Sequence, residues 1–198
     1  MKQIYIYGAS GHGLVVADIA RACGYDEIIF VDDWNNKFQS FEQILLNTNI
    51  PMAIGIGSNK TRKKLFEKAK LSGFELVTLE HPGSIVSPSA VIGEGSVVMP
   101  LVVVNAKAQI GNGVILNSGC VIEHECIIED FVHVSPAAAL AGNVIVGELT
   151  HIGIGSNVIQ GISIGSNCIV GAGSVIVKNI KNNKKAYGNP CKEIGENE

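Results

Sequence analysis

An aliphatic residue returns at every sixth position from Val86 to Ile176, and this period limits the fold more than any other feature of the chain. The series includes Val98, Val104, Ile110, Leu116, Ile122, Ile128, Val134, Leu140, Val146, Ile152, Val158, Ile164 and Val170, and no position in it is polar. Chance agreement over so many steps is roughly one in a million, so the period is real. The position two residues earlier is restricted too: it carries Ser96, Val102, Ala108, Val114, Cys120, Cys126, Val132, Ala138, Val144 and Thr150, all small or β-branched. A six-residue period cannot mark one face of a helix with 3.6 residues per turn. It does fit a short strand followed by a tight corner. Three such hexads close a triangular coil of eighteen residues, with the aliphatic side chain inside and the small residue tucked beside the corner. Coils then stack at the strand spacing of about 4.8 Å, and each buries its row only against its neighbours. The expected architecture for 85–181 is therefore a parallel β-helix prism.

The first part of the chain has another rhythm. Lys2–Tyr7 reads as a strand ending in Gly8-Ala9-Ser10-Gly11-His12-Gly13. Leu14–Cys23 has helical spacing, and Gly24 can end it. Glu27–Val31 and Met52–Ile56 read as strands, Phe41–Leu46 as a short helix and Lys60–Ser72 as a basic amphipathic helix, with Glu75–Leu79 a fourth strand. Alternating strands and helices predict a small parallel Rossmann-like α/β domain over 1–81. His81-Pro82-Gly83 is the expected hinge, and the polar tail 182–198 is expected to leave the prism and pack locally.

Bulk properties remove several function classes. The net charge of −3 leaves no basic footprint for nucleic acid. No run of eighteen apolar residues occurs, so no membrane span is expected. The N-terminus lacks the pattern of a secretory signal. The five cysteines, Cys23, Cys120, Cys126, Cys168 and Cys191, form no CxxC pair and read as small buried residues of a reducing, cytoplasmic compartment.

Four places carry candidate chemistry. The Gly8–Gly13 turn between a strand and a helix gathers backbone N–H groups and a helix dipole at one point, which suits a phosphate. Ser10 stands where a dinucleotide fingerprint needs its second glycine, so a nicotinamide cofactor is disfavoured. His12 is either a ligand to that phosphate or a tolerant turn residue. Asp32-Asp33 and Gly57-Ser58-Asn59 fall at the carboxyl ends of strands, where ligands sit in such sheets. Those acids either hold a sugar hydroxyl or cap local structure. His124 stands between Glu123 and Glu125 at an exposed corner. A neighbouring carboxylate can orient such a ring and raise its basicity, which suits a general base, though a solvated surface histidine reads the same way. His133 and His151 are one coil apart and share a face. The uneven spacing of the three histidines argues against a metal site.

These motifs together, in this order, resemble the bacterial sugar O-/N-acetyltransferases with a Rossmann-like N-terminal domain and a left-handed parallel β-helix. Within them the chain is most similar to the UDP-4-amino-sugar N-acetyltransferases of the bacillosamine pathway. The resemblance runs from Ile4 to about Ile180 and rests on Ile4–Gly13, Asp32-Asp33, Val114–Asn117, Val121–Cys126 and Ala141–Val144. Its handedness is an implication of the resemblance, since parallel crossovers are ordinarily right-handed. It implies that His124 is the general base, that Glu125 raises its basicity, that Asn117 lines the same cleft and that Gly142 offers its N–H to the oxyanion. It further implies that His133, Ile154 and Ala172 contact acetyl-CoA, the family having glycine at the position of Ala172. Ser10, Gly11, His12, Asp32, Asp33 and Gly57 would hold the nucleotide-linked amino sugar. The implied reaction is direct acetyl transfer in a homotrimer, with no metal. An O-acetyltransferase of a sialic-acid-like sugar and a non-catalytic β-helix binding protein are the competing expectations.

Overall fold

The structure is a computed structural model and describes residues 1–197. Strands β1 (Gln3–Tyr7), β2 (Glu27–Val31) and β3 (Met52–Ile54) form a parallel three-stranded sheet in the order β2-β1-β3. Helices α1 (Gly11–Ala22), α2 (Phe41–Ile44) and α3 (Asn59–Leu71) connect and cover it. The central strand is buried on both sides, which explains its unbroken apolar run. Ile4 and Ile6 pack with Val16, Ile19 and Ala20 of α1. Tyr5 and Tyr7 pack on the other side with Phe41, Leu65 and Phe74.

The expected fourth strand does not join this sheet. Glu75–Leu79 makes a single bridge, Leu76 to Met52, and the chain then leaves. Leu79–Glu80 pairs instead with Val97–Val98 and is the first rung of the prism. His81–Gly83 is consequently no hinge but a corner, tied by the His81 N–H to Val98 O and by the Leu101 N–H to Gly83 O. The period gave no notice of this rung because Glu80 stands where the aliphatic row would continue.

From there two-residue strands stack into three parallel sheets, the faces of a triangular prism. The first face carries Val97, Ile115, His133, His151 and Ile169; the second Val103, Val121, Ala139, Asn157 and Val175; the third Gln109, Ile127, Ile145 and Ser163. The aliphatic row is interior: Leu116, Ile122, Val134, Leu140, Val146, Ile152 and Ile176 have no exposed surface. At every corner from Gly95 to Gly173 the same turn position has φ between 52° and 70°. Glycine serves at six of these, but Leu101, Phe131 and Leu149 accept a left-handed cost of about 1 kcal/mol each to turn the corner. Glu125 is another such corner residue, so its positive φ belongs to the fold rather than to strain beside His124.

The tail also differs from expectation. Lys184–Tyr187 adds one more parallel rung to the first face, burying Ala186 as the aliphatic row does, and Lys192–Glu196 returns antiparallel to it. The N-terminal domain sits on the first face. Val97 and Ile115 point outward from the prism yet are buried, in one cluster with the inner side of α1.

Candidate active site

Three implied catalytic residues meet at the edge between the second and third faces. His124 is more than half exposed, and its Nδ1 lies 3.2 Å from Glu125 Oε2. Gly142 is the next residue along that edge. A Cβ placed on it would stand 2.6 Å from His124 Cε1 and Nε2, so the imidazole rests directly on the glycine backbone. With Nδ1–H donated to Glu125, Nε2 is the basic nitrogen. The Gly142 N–H beside it donates to no other group among the described residues. Cys126, at the same corner, is buried and donates its thiol to Ala141 O, and burial raises its pKa. It is packed and protonated, not nucleophilic.

The second constellation lies in the N-terminal domain. Gly13, in the first turn of α1, lies so close to the end of β1 that a Cβ there would fall 1.9 Å from Gly8 O. Ser10 is the N-cap but makes no side-chain cap bond. The first-turn N–H groups of a helix have no intrahelical acceptors, and the space beside Gly11 is open. The turn thus presents free donors of the kind that suit an anion. Asp32 braces it, accepting from the N–H groups of Ala9 at 3.0 Å and Trp34 at 2.9 Å. Asp33 is committed inward: it accepts from the Tyr7 hydroxyl at 2.5 Å, the Phe41 N–H at 2.8 Å and Lys68 Nζ at 3.2 Å. Burial alone would raise its pKa, but these donors hold the carboxyl below the usual carboxylate range. Both acids line a cavity of about 540 Å³ with Trp34, Asn35, Phe38 and Gln43. Trp34 is largely exposed there.

The third constellation is at the junction of the two domains. His133, on the first face, stacks on His151 with ring centroids 4.6 Å apart and lies 6.4 Å from His12 of α1. Asn117 Oδ1 accepts from the Ser118 N–H, which fixes its amide so that Nδ2 donates to His133 Nε2 at 3.0 Å. His133 is therefore the Nδ1–H tautomer. That Nδ1 and His12 Nε2 are both buried without a hydrogen-bond partner. His151 Nε2 pairs with Ser135 Oγ at 2.8 Å. Burial first, and then neighbouring imidazoles and Arg62, lower His133 to about 3; burial and Arg62 lower His12 to about 4. His151 is lowered for the same two reasons. Three neutral imidazoles thus line the junction. Among the described residues no group of three or more His, Cys, Asp or Glu side chains is arranged to hold a metal.

Within one chain, then, the implied residues divide. Asn117 belongs with His133 and His12, whereas His124, Glu125 and Gly142 occupy a different edge. Ile154 and Ala172 are exposed and stack on the edge between the first and second faces, joined by the Gly173 N–H to Ile154 O. Gly57 sits in the loop after β3, where an added Cβ would meet the His12 ring at 3.9 Å. Sequence reasoning missed Arg62, Ser135 and the parts played by Asn59 and His151. A signal existed for Arg62. With Leu65, Phe66 and Ala69 it completes the buried stripe of α3 at helical spacing, and a charged residue on an apolar stripe asks for an explanation.

Comparison with known proteins bears on this arrangement. Residues 3–69 match the PglD N-terminal domain family, and residues 89–124 match the bacterial transferase hexapeptide family. The acetyltransferase domain of PglB from Neisseria gonorrhoeae FA1090 is 40% identical, over 98% of this chain and all of that one, with a TM-score of 0.92. The chain belongs to this acetyltransferase family. Another member, the GDP-perosamine N-acetyltransferase of Caulobacter crescentus, was solved as a histidine-to-alanine variant with CoA and GDP-perosamine. It is 37% identical, over 98% of this chain and 97% of that one, with a TM-score of 0.94. The UDP-N-acetylbacillosamine N-acetyltransferase of Bacillus subtilis is 40% identical over 114 residues. That match spans 50% of this chain and 52% of the relative, so the chain matches about half the length of that curated protein. Family and fold agree with the expected order, an α/β domain followed by a left-handed parallel β-helix of about six turns.

Proposed function

We propose that this chain transfers the acetyl group of acetyl-CoA to the 4-amino group of a nucleotide-linked amino-deoxy sugar, UDP being the first nucleotide to test. The observation that carries the proposal is the His124–Glu125 pair lying on Gly142. It supplies a free basic nitrogen and an unclaimed backbone N–H side by side. The neutral sugar amine attacks the thioester carbonyl, and His124 Nε2 takes the amine proton. The Gly142 N–H donates to the developing oxyanion, a contribution of about 3 kcal/mol for one such donor. Collapse of the tetrahedral intermediate expels the CoA thiolate, which regains the proton from the imidazolium and leaves as thiol.

Substrate placement follows from the other two constellations. The α1 N-terminus, with Ser10, Gly11 and His12, receives the diphosphate. The Asp32–Gln43 cavity receives the nucleoside, with Asp32 and Asp33 shaping its wall rather than offering free oxygens. Gly57, Asn117 and His133 border the sugar and the thioester. Acetyl-CoA lies along the edge of Ile154 and Ala172, where a backbone contact survives the Ala172 side chain. The enzyme from Caulobacter crescentus with CoA and GDP-perosamine, and the Neisseria domain solved with acetyl coenzyme A, support both ligand classes.

His124 occupies an edge that the first face does not share, so a second copy must bring it to the sugar. Ile85, Val91, Ile127 and Ile145 are exposed on the two faces flanking that edge, which supports a homotrimer. The reading places the enzyme in the cytoplasm with its acetyl donor. Acetylation of UDP-, GDP- and dTDP-linked 4-amino sugars, followed by mass spectrometry with wild type and His124→Ala, tests the proposal. Product with one of these sugars, reduced ~10²–10⁴-fold in the variant, is expected. Full activity in His124→Ala removes it as the base, and product only on a sugar hydroxyl favours the O-acetyltransferase.

A further inference from the structure

Arg62 is the largest fully buried side chain of the protein, 1% exposed, and none of its partners is a carboxylate. Its donors divide between the two domains. Nη1 donates to Ile56 O at 3.2 Å and Gly57 O at 3.0 Å in the loop that leads from β3 into α3, and Nη2 to Asn59 Oδ1 at 2.9 Å at the start of α3. Nε donates to Gly113 O at 2.7 Å, and Nη2 also to Phe131 O at 2.9 Å, on the prism. Asn59 then carries the link one coil further, its Nδ2 donating to Leu149 O at 2.9 Å and Thr150 O at 3.1 Å. Gly113, Phe131 and Leu149 are the same corner position in three successive coils. Among the described residues, the hydrogen bonds that join the coils leave these three carbonyls unused.

A buried guanidinium without a counterion is costly, and burial lowers its pKa to about 9. Three rows of packed aliphatics already hold the prism together, so its coils do not need this cation. What Arg62 fixes is the position of Gly57 relative to the face that bears His133.

We propose that Arg62, through Asn59, is a positioning residue that sets the distance between the sugar-binding loop at Gly57 and the thioester-side residues His133 and Asn117. The proposal rests on the acetyltransferase reading above. An ångström of misplacement costs about 10²-fold in rate. Lysine cannot span both sets of carbonyls, because it has one donor centre where arginine has a planar fork.

The test compares wild type, Arg62→Lys and Asn59→Ala by steady-state kinetics, acetyl-CoA calorimetry and NMR titration of the histidine rings. Arg62→Lys keeps a cation, and Asn59→Ala leaves Arg62 in place, so the second variant keeps the test open if the first does not fold. Arg62→Lys is expected to lose ~10²-fold in kcat/KM, with KM for the nucleotide sugar raised and acetyl-CoA affinity unchanged. Asn59→Ala is expected to show a smaller loss of the same kind. Because the Arg62 charge lowers the pKa values of His12, His133 and His151, moving it in Arg62→Lys is also expected to shift their titrations. Wild-type KM for the sugar together with unshifted titrations in folded Arg62→Lys overturns the proposal. Absence of turnover in the wild type is a separate result, and it overturns the acetyltransferase reading beneath it.

Discussion

The N-terminal domain and the prism bury apolar surface in opposite ways, and they hold their polar groups accordingly. In the prism each aliphatic side chain meets its equivalents one coil above and below, and the fully buried polar side chains, Ser96, Thr150, Ser156 and Ser174, are small ones at the position beside a corner. His124 can stand in solvent there without disturbing the core. In the α/β domain, polar groups sit close to the core: Tyr7 is buried yet donates to Asp33, and Arg62 is sealed beneath the junction. The prism is thus expected to tolerate changes at its candidate catalytic edge but not in its interior, whereas in the N-terminal domain the candidate site residues lie against the core.

Four changes break or sharpen that contrast. The largest effect is expected at Leu140, which has no exposed surface. Leu140→Ala should cost about 2–5 kcal/mol by thermal unfolding, and a loss below 1 kcal/mol would mean that the row is not the prism's core. Next is Gly142→Ala. The added Cβ must displace the His124 ring, so kcat should fall ~10²-fold while the melting temperature holds. Equal losses of activity and stability would erase the distinction between edge and interior.

The third change is in pH. His12 and His133 have native pKa values lowered to about 4 and 3 from the ordinary 6.5. The unfolded chain therefore binds more protons below about pH 6.5. Stability is fully present above that pH and is lost as the pH falls towards 4, and His133→Asn should flatten the slope in denaturant titrations. An unchanged slope would place the acid sensitivity elsewhere. The smallest effect is Tyr7→Phe, which removes one hydrogen bond to Asp33. It should cost about 1–2 kcal/mol in the same titrations and leave kcat within twofold, since Asp33 keeps the Phe41 N–H and Lys68.

The two regions were also unequally legible in the sequence. The prism could be read residue by residue because one period governs it, and the read-out failed only where the period is interrupted, at Glu80 and beyond Ile176. The strands and helices of the first domain were legible as far as Leu71, whereas Glu75–Leu79 looked like a fourth strand because apolar composition does not reveal which sheet a segment joins. Of the candidate site, the corner position of His124 was legible in the hexads, and its grouping with Glu125 and Gly142 was an implication of the family resemblance. The inward commitment of Asp33 was not, because it depends on Tyr7 and Lys68, distant in sequence and adjacent only after folding. Nor was the clamp of Arg62 and Asn59, whose acceptors are backbone carbonyls and leave no mark on side-chain pattern.

In the proposed mechanism the base of one copy serves the sugar held by another. Complementation tests it most directly. His124→Ala and His133→Ala chains are produced separately and then together, and acetyl transfer is measured on purified mixed oligomers. Each variant alone is expected to be nearly inactive, and the mixture to regain a substantial fraction of wild-type turnover, because one copy contributes an intact His124 edge and its neighbour an intact His133 face. Mixed oligomers no more active than the separate variants would place both halves of the site in a single chain and contradict the account.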